Sequence, residues 1–528
     1  MEQPMRFFPI GIQDFEELRS RNCVYVDKTE LLYNLVKSNR TCFLNRPRRF
    51  GKSLMVSTLR AYFESKKHLF AGLAMEKLEK DWTVHEVFHI SFATSKYPGD
   101  GVESLHEILS LHVSKWEEKY GRDEKETTFG GRFGGVIQRA YEQSGQQVVV
   151  LIDEYDSPIL SAIGADQETK RTNMRSILRD FFSLLKESGK YIRFLFFTGI
   201  TKFSQLSVFS ELNHLDNISM LPSYSAICGI SETELLTQFK PDIAALAAEN
   251  DETYDEACAH LKQLYDGYHF CEKSEDVYNP FSIINVLKNK RYGNYWYSTA
   301  TPTFLIELLK EQDVIPTALE GSQAFIDDFD TAVETLTDPI PVLYQSGYLT
   351  IKDYDGGLYT LGYPNEEVRL GFVRSLAPSV TGRSERENSV NIIAMKNALD
   401  AGDIDTCMKR MSAFVAGIPY EAKSDNESRA EVIFYIIFTL LGQAVQTQVP
   451  TAIGRSDVVV KNRKYIYVFE IKVHGTAADA LEQIERQRYT AAYEADPRPV
   501  VRIGVQYDAP TRTITEWRVE RNIIGAKQ

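Results

Sequence analysis

Short apolar runs alternate with longer helix-like segments through the first part of this chain. Between residues 30 and 225 the runs are Thr41–Leu44, Val87–Phe92, Val148–Ile152 and Ile192–Phe197, separated by stretches such as Ser53–Lys66 and Arg175–Glu187. That rhythm predicts βαβ units, hence an α/β domain over residues 1–225 with a parallel sheet covered by helices. The next segment turns helical at Ser231-Glu232-Thr233-Glu234, where a serine three residues ahead of a glutamate has the spacing of a capping box. A helical lid is expected over 226–300.

The pattern then changes twice. Around Val342–Gln345 a helix ends, and Ser346–Lys352, Gly356-Gly357 and Leu358–Leu361 read as a β-hairpin, so residues 301–377 form either a winged-helix module or a small α+β connector. Residues 378–389 are polar, contain Pro378 and Gly382 and lack periodicity, which marks a domain boundary. From 390 to 528 a second α/β domain is expected. It has an apolar helix over Glu427–Leu441, strands at Asp457–Val460 and Tyr465–Val473 joined by Lys461-Asn462-Arg463-Lys464, a helix over Ala477–Tyr493 and a strand at Val500–Gln506.

Composition narrows the class without naming a function. With 528 residues, 43% hydrophobic and 25% charged, the chain has ample core for several globular domains and is neither disordered nor fibrous. A formal net charge of −13 gives no overall nucleic-acid signature, although the segment from residue 421 onward is close to neutral. The six cysteines are scattered with no C-x-x-C pair, which argues against a zinc site or a disulfide framework. The start, Met-Glu-Gln-Pro-Met-Arg, has no basic region ahead of an apolar stretch, and the longest apolar run, Val432–Leu441, is about half a membrane span. A cytoplasmic protein without a membrane segment is expected.

Chemistry first appears behind the first apolar run, at Arg46-Pro47-Arg48-Arg49-Phe50-Gly51-Lys52-Ser53. This matches the phosphate-binding pattern G-x-x-x-x-G-K-[ST] at Gly51, Lys52 and Ser53, with Arg46 in place of the first glycine. In that pattern backbone N–H groups curl round the phosphates, the lysine reaches the β- and γ-phosphates, and the hydroxyl holds Mg²⁺. The run Val148–Ile152 ends in Asp153 and Glu154, of which the first suits holding Mg²⁺ and the second polarising an attacking water. Thr198, at the carboxyl end of the fourth run, either senses the γ-phosphate or caps a helix. Arg46, Arg48 and Arg49 either neutralise phosphate oxygens or face an acidic neighbour.

Together with these segments, Phe8-Pro9-Ile10-Gly11, Tyr25-Val26-Asp27-Lys28-Thr29 and Leu151-Ile152-Asp153-Glu154-Tyr155-Asp156 resemble the AAA-ATPase-like family of bacterial proteins. The likeness continues at Leu264-Tyr265-Asp266-Gly267-Tyr268-His269-Phe270, Val277–Ser282 and Tyr363–Arg369. In that family Arg-Pro-Arg-Arg-Phe-Gly-Lys-Ser is the usual loop, so the resemblance implies an ATP and Mg²⁺ site. Its residues would be Arg46, Arg49, Gly51, Lys52, Ser53, Asp153 and Thr198, with Glu154 catalytic.

A second constellation lies near the C-terminus. On the strand Tyr465–Val473, alternation puts Glu470 and Lys472 on one face that is apolar until its end, and a hairpin would bring Asp457 beside Glu470. Two carboxylates and a lysine suit metal-assisted phosphodiester hydrolysis, while Glu-x-Lys also serves as a plain cross-strand ion pair. Gly454-Arg455-Ser456-Asp457, Phe469-Glu470-Ile471-Lys472 and Ala480–Ile484 resemble the PD-(D/E)XK nuclease superfamily, in the branch fused to AAA-ATPase-like domains. The resemblance implies Asp457, Glu470 and Lys472 as catalytic core, Asp457 and Glu470 as Mg²⁺ ligands with Glu427 as an additional acid, and Gln483 contacting the nucleophile or a phosphate. Gln448 stands where related sequences tend to have glutamate, which puts a second metal position in question.

His474 reads as a solvated loop histidine. Lys461, Arg463, Lys464, Arg486 and Arg488 are either backbone contacts to nucleic acid or dispersed surface charge. The expected protein is an ATP-binding and hydrolysing machine that controls a Mg²⁺-dependent nuclease-like domain acting on DNA, with further copies of itself as partners. The alternative is a signalling or scaffold ATPase whose nuclease-like domain binds nucleic acid or a protein without cutting.

Overall fold

The computed structural model describes residues 7–93, 97, 101–162, 167–201, 215–297, 319–330, 338–418, 426–442, 446–448, 457–493 and 496–522. The chain forms two compact units, residues 1–312 with 321–368, and residues 313–320 with 369–528.

The first unit is built on a five-stranded sheet: β1 (Thr41–Asn45), β2 (Val87–Ser91), β3 (Val148–Asp153), β4 (Ile192–Gly199) and the short β5 (Asp216–Asn217), in the order β2-β3-β4-β1-β5. Every pairing is parallel. The runs of β3 and β4 are continuous rather than alternating because both faces are covered, all of Val148–Asp153 being buried, whereas β2 alternates buried and half-buried positions. Helices Lys52–Phe63, Val102–Tyr120, Phe129–Ser144 and Glu168–Glu187 provide that cover.

The expected lid consists of helices Glu232–Gln238, Lys240–Glu249, Tyr254–Tyr265 and Pro280–Asn289 around the two-stranded β6 (Ile230–Ser231) and β7 (Val277–Tyr278). Its first helix carries the capping box, with the Ser231 side chain accepting from Glu234 N and the Glu234 side chain returning to Ser231 N. The hairpin of β9 (Thr350–Asp355) and β10 (Leu358–Gly362) is joined by β8 (Ser322–Phe325) and preceded by the helix Ile340–Ser346. Residues 298–318 and 331–337, where the rest of the expected winged-helix module would fall, lie outside the described residues.

The polar segment 378–389 is not where the units divide. A helix runs unbroken over Glu366–Thr381 with Pro378 inside it, and another begins at Glu385 behind the N-cap Ser384. The units part earlier, between Val368 and Arg369.

The second unit packs helices Glu385–Ala401, Ile404–Ala416 and Asn426–Gly442 with a sheet in the order β11-β12-β13-β14-β15. The strands are β11 (Gln446–Gln448), β12 (Asp457–Lys461), β13 (Ile466–Lys472), β14 (Val500–Asp508) and β15 (Thr513–Asn522). β13 pairs antiparallel with β12 and parallel with β14, the crossover being the helix Ala477–Arg486. That helix stops at Arg486, shorter than expected, and Arg488 turns the chain at φ 55°. All six cysteines are free thiols, and no described helix is long and apolar enough to cross a membrane.

Candidate nucleotide and nuclease sites

The phosphate-binding loop leaves β1 at Asn45 and runs into the helix Lys52–Phe63. Gly51 takes φ 91° without steric cost, whereas Arg49 at φ 66° carries strain on the order of 1 kcal/mol. Arg46 is 1% exposed. One of its terminal nitrogens donates to the carbonyls of Asn45 (3.0 Å) and Ser219 (2.8 Å), the other to those of Tyr224 (3.2 Å) and Ser225 (3.3 Å). The guanidinium also lies 4.0 Å from the centre of the Phe270 ring. In this arrangement the terminal nitrogens of Arg46 donate to main-chain carbonyls. A buried guanidinium needs acceptors for its donors, and here main-chain carbonyls supply them to both terminal nitrogens, though not to Nε, tying the loop to residues 219–225.

Lys52 is 5% exposed, and its Nζ donates to the carbonyls of Arg46 (2.9 Å) and Pro47 (3.0 Å). Burial lowers its pKa, and the nearby Glu154, Asp153 and Asp156 oppose that shift.

Sheet register gathers the other candidates. Thr198 is opposite both Asp153 and Leu44, and Gly199 is opposite Asn45, so the ends of β1, β3 and β4 form one row. Ser53 hydrogen-bonds to Asp153. Asp153 Oδ1 and Thr198 Oγ1 are both buried and have no hydrogen-bond partner. Burial pushes the Asp153 carboxyl up to about 6, the Ser53 hydrogen bond opposing and Glu154 adding to the shift. Glu154 follows in a left-handed conformation, φ 50°, of the kind held in place at functional positions. Asp156 is tied to the turn after β4. Its Oδ2 accepts from the amides of Ile200 (2.9 Å) and Thr201 (2.7 Å) and from the Thr201 hydroxyl (2.7 Å), which fixes the turn after β4. A strand-end carboxylate with an unpartnered oxygen beside the loop serine fits a hydrated Mg²⁺.

Beside the loop lies a mainly apolar cavity of about 100 Å³, walled by Pro9, Val26, Leu54, Met55, Cys228 and Ile230 among others. It opens against Phe50 and Gly51 of the loop and is smaller than an ordinary small-molecule pocket. Lys28 stands in its wall with Nζ 2.7 Å from both oxygens of Glu234 on the lid.

Sequence reasoning missed how the loop is braced. Phe50 packs edge-on against Tyr268 and Phe270, with ring centres 4.7 and 5.6 Å apart. Arg49 is exposed, its guanidinium 5.1 Å from the Phe281 ring centre, and the Trp296 indole N–H donates to the Arg48 carbonyl at 2.9 Å. The motifs 264–270 and 277–282, visible beforehand only as resemblance, thus supply the loop's supports.

In the second unit, Glu470 lies on the central β13, 2% exposed, with Oε1 3.0 Å from Lys472 Nζ. Its Oε2 is buried without a hydrogen-bond partner. Lys472 Nζ also donates to Gln483 Oε1, and Gln483 Nε2 donates to the Tyr489 hydroxyl at 3.4 Å. The strand places Asp457 directly opposite Glu470 in register. The side chains of Asp457, Glu427 and Gln448 lie outside the described residues, as do residues 454–456. Glu427 is at the start of the helix Asn426–Gly442, and Gln448 on the edge strand β11. The unpartnered Glu470 oxygen, held beside an ammonium, fits a divalent cation shared with a second carboxylate.

A family model described as predicted AAA-ATPase matches residues 9–209, and one described as PD-(D/E)XK nuclease superfamily matches residues 425–517. An Azotobacter chroococcum mcd 1 protein described as "Uncharacterized protein in vnfD 5'region" is 32% identical over 536 residues, covering 97% of this chain and 98% of that protein. No solved structure matches. The chain belongs to the family of AAA-ATPase-like proteins that carry a C-terminal PD-(D/E)XK nuclease superfamily domain.

Proposed function

We propose that the first unit binds and hydrolyses ATP with Mg²⁺, and that the nucleotide controls Mg²⁺-dependent cleavage of DNA by the second. One observation carries the reading: two buried strand-end carboxylates, Asp153 and Glu470, each keep an oxygen without a hydrogen-bond partner. An orphaned buried acceptor costs roughly 1–3 kcal/mol, and a cation offsets it.

In the first unit Ser53 and Asp153 hold Mg²⁺, and the amides of the loop up to Gly51 cradle phosphate. Lys52 exchanges the Arg46 and Pro47 carbonyls for phosphate oxygens. Glu154 orients the attacking water, and Thr198 donates its hydroxyl to the γ-phosphate. Arg49, the exposed arginine of the loop, adds positive charge near the phosphates. In the second unit Asp457 and Glu470 hold Mg²⁺ with Glu427 as an additional acid, Lys472 orients the nucleophile, and Gln483 positions Lys472. The ion at each site supplies charge stabilisation and a bound water of lowered pKa.

The test is cleavage of duplex DNA, single-stranded DNA and RNA by the full chain with Mg²⁺, with and without ATP. Asp457→Ala and Lys472→Ala should each abolish cleavage. Undiminished cleavage by both variants removes the nuclease assignment, and cleavage indifferent to ATP removes the control.

A further inference from the structure

The helix Glu366–Thr381 begins in the first unit and continues in the second from Arg369 onward. Its first turn holds Glu367, a carboxylate 1% exposed that makes no ion pair in the described residues. Instead it is held by neutral donors: Oε2 accepts from the Ser282 hydroxyl at 2.6 Å, and Oε1 from the main-chain N–H of Trp296 at 2.7 Å. The same Trp296 is fully buried, and its indole N–H donates to Arg48 in the phosphate-binding loop. Ser282 follows Phe281, on whose ring Arg49 rests, and both amides are capped by Asn279 Oδ1. Asn365 completes the attachment, its Nδ2 donating to the Asp266 carbonyl at 2.7 Å and its Oδ1 accepting from Val368 N.

Two consecutive loop residues, Arg48 and Arg49, are thus joined through Trp296 and Phe281–Ser282 to one buried carboxylate at the head of that helix. We propose that Trp296 and Glu367 form a strut that passes the state of the phosphate-binding loop to the helix Glu366–Thr381. The inference rests on the nucleotide reading of the loop. Phosphate draws the Lys52 ammonium off the Arg46 and Pro47 carbonyls, residues 46–49 readjust, and the Arg48 carbonyl carries the Trp296 indole with it. Glu367 has no mobile counter-ion to absorb the movement, so its rigid hydrogen bonds relay it. The strut is a positioning device and touches no substrate.

The experiment is hydrogen exchange across residues 366–381 of the full chain, with and without saturating Mg²⁺ and AMPPNP, with binding followed in parallel by calorimetry. In the wild type, nucleotide should change exchange there by about fivefold or more, the lower end of usual coupling strengths. Trp296→Phe keeps ring packing and removes the indole donor; Glu367→Gln keeps volume and removes the charge. Either should bring the nucleotide-dependent change below about twofold at saturation. If Trp296→Phe does not fold, Glu367→Gln decides. Wild-type binding with unchanged exchange, or variants that keep the full response, overturns the strut alone. Absence of AMPPNP binding overturns the nucleotide reading and the strut with it.

Discussion

Replacing Arg46 by glycine would restore the usual phosphate-loop pattern, and the structure predicts that this repair breaks the protein. Four carbonyl hydrogen bonds from a buried cation are lost, at 2.8 to 3.3 Å. Bonds to charged donors are worth roughly 1.5–3 kcal/mol each, but the two longer ones are weak and Asn45 can relax. Loss of the Phe270 contact adds about 1 kcal/mol, and the vacated volume adds a cavity term. A total of about 4–6 kcal/mol is expected, which for a unit of this size lowers its melting temperature by roughly 5–8 °C. Scanning calorimetry of the nucleotide-free full chain measures it, following the transition of the first unit. Arg46→Lys should fall between, because an ammonium cannot serve four spread acceptors with a planar fork. If Arg46→Gly melts within about 2 °C of wild type and binds ATP as tightly, the carbonyl-anchoring role is wrong.

At the nucleotide site, Lys52→Ala should weaken ATP binding by roughly a hundredfold, about 3 kcal/mol in calorimetric titration. Glu154→Gln should retain binding and lose about 10²–10⁴ in turnover, and full-rate hydrolysis would exclude its role with the water. Glu470→Gln should abolish Mg²⁺-dependent cleavage, and leave ATP turnover by the first unit at the wild-type rate in a coupled phosphate-release assay. Burial pushes the Glu367 carboxyl up to about 7, against the lowering effect of the Ser282 and Trp296 donors. A group whose folded value is raised stabilises fully below its unfolded value and loses that contribution as pH rises through the folded one. From pH 5 to pH 8 the wild type should therefore lose roughly 2–3 kcal/mol relative to Glu367→Gln in denaturant titrations, and parallel pH curves would contradict the burial argument. Gly347→Ala should destabilise the first unit, since at φ 86° a Cβ would lie 2.6 Å from Pro47 Cβ of the loop; an unchanged melting temperature would show that this contact yields freely.

Legibility of the sequence followed the range of the forces involved. The runs at 148 and 192 became β3 and β4 within a few residues because those strands are buried almost throughout and leave a continuous apolar signature, while β2 was legible from alternating buried positions. The Ser231 capping box and the shared face of Glu470 and Lys472 depend on spacing alone and were equally readable. β15 was not, and the cause is local. A bulge at Gln506/Tyr507 pairs Tyr507 with Ile514 and Gln506 with Glu516, leaving Thr515 extra, so the strand's alternation breaks between Ile514 and Trp517. At 378–389 the loss of periodicity reflects one helix ending and another starting, not a linker. The role of Arg46 depends on Ser219, Tyr224, Ser225 and Phe270, far away in the chain, and no window of sequence contains it.

The two carboxylate sites differ in how their charge is balanced, and that difference gives control a direction. Glu470 has an ammonium at 3.0 Å, itself held by Gln483, so its charge is balanced within the strand. Asp153 has no such partner, because the nearest lysine spends its protons on the Arg46 and Pro47 carbonyls. Its burial is consequently expressed as a raised pKa, and loading the site requires Lys52 to change acceptors. A charge-balanced site has little to transmit, whereas a site that must rearrange its loop has a displacement to export. The loop that moves is the one joined to Trp296, and Trp296 is joined to the helix that enters the second unit. On the proposed reading, nucleotide binding in the first unit therefore acts on the nuclease-like domain, rather than the reverse.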